Sequence, residues 1–133
     1  NWTGRIKLIF GIGIDIIEVA RIQKQIDTES NSFVKKIFTE KEIEYCETKI
    51  KNKAQNYAVR FAAKEAFFKA LGTGWRDGFL WKDVEIDNDE LGKPNILLSG
   101  KSKLFIQKNN ILKIHVSLSH IKEIAVAVVI LEM

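Results

Sequence analysis

The sequence predicts an α+β domain, an antiparallel sheet with helices packed against it. Three observations lead there. Polarity alternates from residue to residue at both ends of the chain, apolar side chains recur at helical spacing through the middle, and strands and helices do not follow one another as repeated βαβ units. With 133 residues, 46% of them hydrophobic, the chain has the size of one compact domain with a core of its own.

The elements follow in order. Alternation over residues 8–16 places Ile12, Ile14 and Ile16 on one face of a first strand and Gly11, Gly13 and Asp15 on the other. Apolar residues then recur through Ile16, Val19, Ala20 and Ile22, which predicts a short helix directly afterwards. Phe33 to Lys51 reads as helical, and Thr39 followed by Glu42 matches a capping box that starts its main helix at residue 39. A longer helix, rich in Ala, Lys, Phe and Glu, runs from Asn52 to Leu71 and stops at Gly72, a residue suited to a helix C-cap. GTGWRDG, 72–78, forms a loop. WKDVEID (81–87) and NILL (95–98) read as strands joined by the turn NDELGKP, and 101–108 as a short helix. Two strands, 113–119 and 124–131, close the chain around a turn at His120, Ile121 and Lys122.

Composition excludes several classes. No uninterrupted apolar run reaches the ~20 residues of a membrane span, and IAVAVVIL at 124–131 has strand length, so a soluble protein without membrane partners is expected. The opening NWTGRIKL has no long apolar core and no small-residue cleavage site; residues 1–8 read as an N-terminal extension or an expression remnant and 9–133 as the domain. Twenty-one Lys and Arg against seventeen Asp and Glu leave a charge of +4, which suits an acidic partner. Nucleic acid is not that partner by this reading, because the basic residues and the three tryptophans trace no interleaved surface. The single Cys46 cannot form an internal disulfide, and with only two histidines it gives no zinc pattern.

The first stretch with chemical content is GIGIDI, 11–16, which sets Asp15 among isoleucines and glycines. It lacks the third glycine of a dinucleotide fingerprint, and the phosphate-loop ending Gly-Lys-Ser/Thr is absent. Asp15 followed by Glu18 also matches a capping box, a purely structural use of the carboxylate. A cap leaves the glycines unexplained. Glycine weakens a strand, so two of them beside Asp15 indicate that something approaches the backbone closely there.

The second stretch is RFAAKEAFFKALGTG, 60–74. On a helix Glu65 shares a face with Phe61, Phe68 and Lys69, a partly apolar stripe on which a carboxylate needs a partner or a cation. An ordinary Glu65–Lys69 helix pair is the simpler use. Arg60 and Lys64 form a basic pair, Lys69 adds a third positive charge near the Gly-Thr-Gly loop, and together they suit phosphates or plain solvation. Two carboxylates on different elements with cations nearby match a Mg²⁺ site on a pyrophosphate, since Mg²⁺ takes few protein oxygens and completes its shell from water and phosphate. The third stretch is HVSLSH, 115–120, which ends on His120 at a turn. A turn hydrogen bond, a phosphate contact and proton transfer are all open to that imidazole.

Taken in order, GIGIDI, RFAAKEAFFKALGTG, LGKPNILLSGKSK and VSLSHIKEIAVAVVIL resemble the holo-acyl-carrier-protein synthases, the short, AcpS-type branch of the 4'-phosphopantetheinyl transferase family. The resemblance covers nearly everything from Ile9 onward. It implies that family's α+β fold and a transfer of the phosphopantetheine arm of coenzyme A to a serine of apo acyl carrier protein, in support of fatty acid biosynthesis. It implies that Asp15 and Glu65 share Mg²⁺ at the coenzyme A pyrophosphate, with the glycines admitting both to the strand. It further implies that Lys69 contacts the attacked phosphate, that Arg60 and His120 hold coenzyme A phosphates, and that Lys64, Gly72, Gly92, Lys93 and Pro94 line the nucleotide site. Arg21, Lys24 and Gln25 match the family's docking surface for the acidic carrier helix. Homotrimers with active sites between subunits, in the bacterial cytoplasm or a plastid-type organelle, are likewise implied. A coenzyme A or nucleotide-binding module without turnover is the alternative, and Asp15, Glu65 and Lys69 occurring together speak against it.

Overall fold

The computed structural model describes residues 8–29, 31–73 and 78–133. Chain order is β1 (Ile9–Glu18), α1 (Val19–Glu29), α2 (Asn31–Ile37), α3 (Glu40–Glu47), α4 (Lys53–Leu71), β2 (Val84–Asn88), β3 (Pro94–Leu98), α5 (Gly100–Lys108), β4 (Lys113–His120) and β5 (Ile124–Glu132). Short 3-10 turns precede α4 and β2. The strands form an antiparallel three-stranded sheet in the order β1-β5-β4 and a separate antiparallel hairpin of β2 and β3. This is an α+β architecture, as expected.

The register of the main sheet sets Asp15 opposite Ala127 and Gly13 opposite Val129. Its inner face, carrying Ala125, Ala127, Val129 and Leu131, is covered by α4. α4 meets it with alanines 58, 62, 63, 66 and 70, all buried, so the helix axis comes close to the strands. The approach is closest over β1. A Cβ at Gly11 would stand 1.9 Å from the carbonyl oxygen of Ala70, and one at Gly13 would stand 1.9 Å from that of Ala66. Helix backbone is therefore what approaches these glycines, and the expectation that they admit pyrophosphate and metal is corrected.

The helix ends obey their sequence signals. Thr39 caps α3 in a complete capping box with Glu42, and Gly72 ends α4 in the left-handed region at φ 85°. Asp15, by contrast, caps nothing. β1 continues to Glu18 and α1 starts only at Val19, whose N–H bonds to the carbonyl of Glu123, so the capping use of Asp15 is corrected as well. Three further boundaries differ from expectation: residues 33–51 break into α2, α3 and a 3-10 turn, residues 81–83 make a 3-10 turn before β2, and β1 ends two residues later, at Glu18. Of the predicted loop 72–78, residues 74–77 lie outside the described residues, as do residues 1–7 of the N-terminal extension.

The outer face of the main sheet is apolar and open. Ile12, Ile14 and Ile16 of β1 are 62%, 60% and 68% exposed, and their register partners Ile130, Val128 and Val126 extend the patch onto β5. A single protomer has nothing from the described residues to lay over it.

Candidate active site

β1 and α4 together build a small polar cluster against this apolar background. Asp15 points to the α4 side because it shares the parity of Gly11 and Gly13, and the side chain is 15% exposed. Glu65 and Lys69 come from successive turns of α4. The Lys69 ammonium donates to Asp15 Oδ1 at 3.0 Å and to the carbonyl of Ile14 at 3.0 Å. Lys69 thus pairs across to β1 instead of forming the simple helix pair with Glu65.

The Glu65 carboxylate has no hydrogen bond or ion pair among the described residues. Burial raises its pKa above the ordinary carboxylate value, the Asp15 charge raises it further, and Lys69 opposes both. Two carboxylates that repel each other in a half-buried site, with one cation already beside them, are relieved by a divalent ion. The donor set fits Mg²⁺: two carboxylates from two rigid elements, leaving the other positions to water and phosphate oxygens. No third His, Cys, Asp or Glu joins them among the described residues.

A second cluster lies up the helix from Glu65. Arg60 is 2% exposed, its guanidinium stacked on the Tyr45 ring at 4.1 Å, and it donates to Asn88 Oδ1. Asn88 in turn donates to the carbonyl of Gly92 at 3.0 Å. The turn itself is held by Asp89, whose Oδ1 accepts the N–H groups of Leu91 and Lys93 at 2.9 Å each, while Gly92 takes φ 85°. Arg60 and the Gly92, Lys93, Pro94 turn are therefore linked through Asn88. Arg60 Nε, buried and without a partner among the described residues, retains a free donor. His120 stands apart. It ends β4 opposite Ala125, two strands (~10 Å) across the sheet from β1.

Lys64 does not belong to a nucleotide site in this chain. Its side chain is 0% exposed and lies 2.8 Å from Glu42 Oε1, with the carbonyls of Trp81 and Val84 as further acceptors. Burial pulls the pKa of the ammonium below its usual value while Glu42 pushes it back up. Gly72 serves as the C-cap of α4. Cys46 is packed, and burial raises its thiol pKa to about 12, which removes it from nucleophilic chemistry.

Arg21, Lys24 and Gln25 lie exposed on α1. Arg21 and Gln25 also edge a cleft of about 500 Å³ whose apolar walls include Ile17, Phe33, Phe61 and Trp81. Ile17 is two residues past Asp15 on the same strand face, and Phe61 is one turn before Glu65, so the cleft opens beside the carboxylates without containing them. Sequence reasoning missed Tyr45, Asn88 and Trp81, and it gave Glu42 only a capping role. One signal was available. A lysine flanked by Ala62, Ala63, Ala66 and Phe67 on a core helix requires a buried acid, and Glu42 is that acid.

These features define a protein class, and the relationships to known proteins agree with it. The chain belongs to the 4'-phosphopantetheinyl transferase superfamily, whose family model matches residues 11–129. Within it, the similar proteins are holo-[acyl-carrier-protein] synthases. One from Geotalea daltonii is 47% identical over 125 residues, covering 94% of this chain and 99% of that protein. The crystal structure of the holo-(acyl-carrier-protein) synthase from Bacillus anthracis, in complex with CoA (3',5'-ADP), is 41% identical with a TM-score of 0.79, covering 95% of this chain and 98% of the other. The enzyme from Neisseria meningitidis is 31% identical with a TM-score of 0.86, covering 94% and 99%.

Proposed function

We propose that this chain is a Mg²⁺-dependent holo-acyl-carrier-protein synthase that moves 4'-phosphopantetheine from coenzyme A to a serine of apo acyl carrier protein. The observation that carries the reading is the convergence of Asp15, Glu65 and Lys69 from β1 and α4. The serine hydroxyl gives up its proton to a nearby carboxylate or water, and its oxygen attacks the pyrophosphate phosphorus that bears the pantetheine arm. The bond from that phosphorus to the bridging oxygen breaks, and adenosine 3',5'-bisphosphate leaves.

Asp15 and Glu65 are the residues to hold Mg²⁺, which when bound neutralises pyrophosphate charge and orients its oxygens. Lys69, which donates to Asp15 in this structure, is the cation placed to meet negative charge developing on the attacked phosphoryl group. Arg60 and the Gly92, Lys93, Pro94 turn bind the nucleotide end. Arg21, Lys24 and Gln25 receive the acidic carrier protein, whose attraction to a basic face chiefly accelerates encounter.

Assembly as a homotrimer accounts for two features. The open face around Ile12, Ile14 and Ile16 is apolar enough to be an interface. His120, remote from the carboxylates within one protomer, reaches phosphate in a site shared between subunits. The role proposed is in fatty acid biosynthesis, in cytoplasm or a plastid-type organelle. Intact-mass spectrometry of apo carrier protein incubated with the chain, coenzyme A and Mg²⁺ tests the reaction. A gain of one phosphopantetheine group that EDTA abolishes is expected; coenzyme A binding without transfer would make this a binding module instead.

A further inference from the structure

Glu42 and Lys64 form a polar node inside an otherwise apolar core. Both side chains are 0% exposed, and the ammonium has three acceptors for its three protons: Glu42 Oε1 at 2.8 Å, the carbonyl of Trp81 at 3.1 Å and that of Val84. Glu42 is equally engaged. Oε1 also accepts the N–H of Thr39 at 2.9 Å, and Oε2 accepts the N–H of Ile86 at 2.9 Å. One ion pair therefore ties the start of α3, the middle of α4, the 3-10 turn at Trp81 and strand β2.

Stability alone is a weak reason for such a pair, because well-packed apolar residues of similar volume commonly serve as well. What a fully satisfied buried pair adds is a fixed register. The elements it fixes carry both halves of the site. Lys64 is the neighbour of Glu65 on α4. β2 ends in Asn88, the residue through which Arg60 is linked to the Gly92 turn. The 3-10 turn carries Trp81, whose ring stacks on Phe61 at 5.2 Å and 22° to form a wall of the cleft beside the carboxylates.

We infer that Glu42 and Lys64 are positioning residues that hold the β2–β3 hairpin in register on α4, so that the Arg60, Asn88 and Gly92 cluster keeps its distance from Asp15 and Glu65. Neither residue touches substrate. The inference rests on the transferase reading. It assigns the pair an effect on coenzyme A that it should not have on the carrier protein, since among the described residues the exposed face of α1 makes no bond to the node.

The test compares the parent with the double variant Glu42→Leu, Lys64→Met, which leaves no lone buried charge, and with Lys64→Arg, which keeps the charge but alters its fork of donors. The measurements are KM for coenzyme A, KM for apo carrier protein, kcat, the Kd of adenosine 3',5'-bisphosphate without metal, and the melting temperature. The double variant is expected to melt clearly below the parent, because it orphans the N–H groups of Thr39 and Ile86 and the carbonyls of Trp81 and Val84; in its folded fraction KM for coenzyme A and the nucleotide Kd rise tenfold or more and KM for the carrier stays unchanged. A folded double variant with parental KM and Kd would overturn the inference, as would equal losses toward both substrates. Should the double variant not fold, Lys64→Arg decides: a raised KM for coenzyme A alone supports the positioning role, and parental values remove it. A parent that transfers nothing defeats the transferase reading instead, and the nucleotide titration still separates the two questions.

Discussion

Glu65 and Lys64 are adjacent, and the chain uses their opposite charges in opposite surroundings. Glu65 faces the strand that carries Asp15, where burial and then repulsion raise its pKa; Lys64 faces the core, where Glu42 neutralises it. The Glu65 shift has a definite sign for stability. A carboxyl whose folded pKa lies above its unfolded value stabilises the fold at low pH, and that contribution is lost as pH rises through the folded value. Glu65→Gln is therefore expected to lower transfer by roughly 10²-fold or more, the scale for losing a charge-stabilising group. At neutral pH without metal it should melt no lower than the parent. Calorimetry showing a clear drop in melting temperature would mean that Glu65 is held by favourable contacts, contrary to this account. The same shift sets a pH dependence for Mg²⁺. Protons compete for Glu65 at a pH above the ordinary carboxylate value, so the Mg²⁺ concentration for half-maximal activity should climb on acidification through that range. Asp15→Asn should lower the Glu65 pKa in a carboxyl-carbon NMR titration only in part, because burial is the larger cause. Asp15, Glu65 and Lys69 were legible in the sequence because their positions on a strand face and a helix face fix where they point. Lys64 was not, since helical spacing relates it to Arg60 and says nothing of Glu42, which arrives from another element.

At the scale of elements, the contact of α4 with β1 depends on the absence of side chains at two positions. Alanine in place of glycine ordinarily stabilises by limiting the unfolded chain, by ~0.4–1 kcal/mol. At Gly13 the added methyl would meet the carbonyl oxygen of Ala66 at 1.9 Å, and backbone on both sides leaves no flexible atom to give way. Gly13→Ala should destabilise at or beyond the upper end of the ~1–3 kcal/mol seen for overpacking, measured by urea denaturation. Because the methyl forces α4 off β1, it should also separate Asp15 from Glu65 and weaken metal dependence in whatever fraction folds. A near-neutral result would show that the helix floats on the strand and does not set the carboxylate spacing. The alternation in GIGIDI was enough to predict that something approaches these glycines. It did not reveal that the visitor is the chain's own helix, because close packing between residues 13 and 66 is a tertiary fact that no local pattern encodes. The capping box at Thr39 and the C-cap at Gly72 were legible for the contrary reason: each is completed by atoms within four residues.

At the scale of the molecule, the open sheet face decides whether one protomer is the working unit. Strand alternation normally turns apolar residues to the core and polar residues to water, yet β1 turns Ile12, Ile14 and Ile16 outward and sets Gly11, Gly13 and Asp15 inward, with Ile17 the buried aliphatic after them. β5 places Val126, Val128 and Ile130 beside them, so the patch is continuous across two strands. Leaving such a surface in water forfeits burial worth roughly 1.5–3 kcal/mol for each large aliphatic side chain, which the proposed homotrimer would recover. The single substitution Ile14→Glu places a charge at the centre of this patch, where it is tolerated in a solvated monomer and costly in a buried interface. Light scattering should find the parent as a trimer and the variant shifted to monomer, with the helical circular dichroism retained. Transfer activity should fall with assembly, although Ile14 faces away from Asp15, if His120 acts in a site shared between subunits. A monomeric variant with full activity would place the complete site within one chain and leave His120 outside it. A trimeric variant would move the interface elsewhere and leave the apolar face without an occupant.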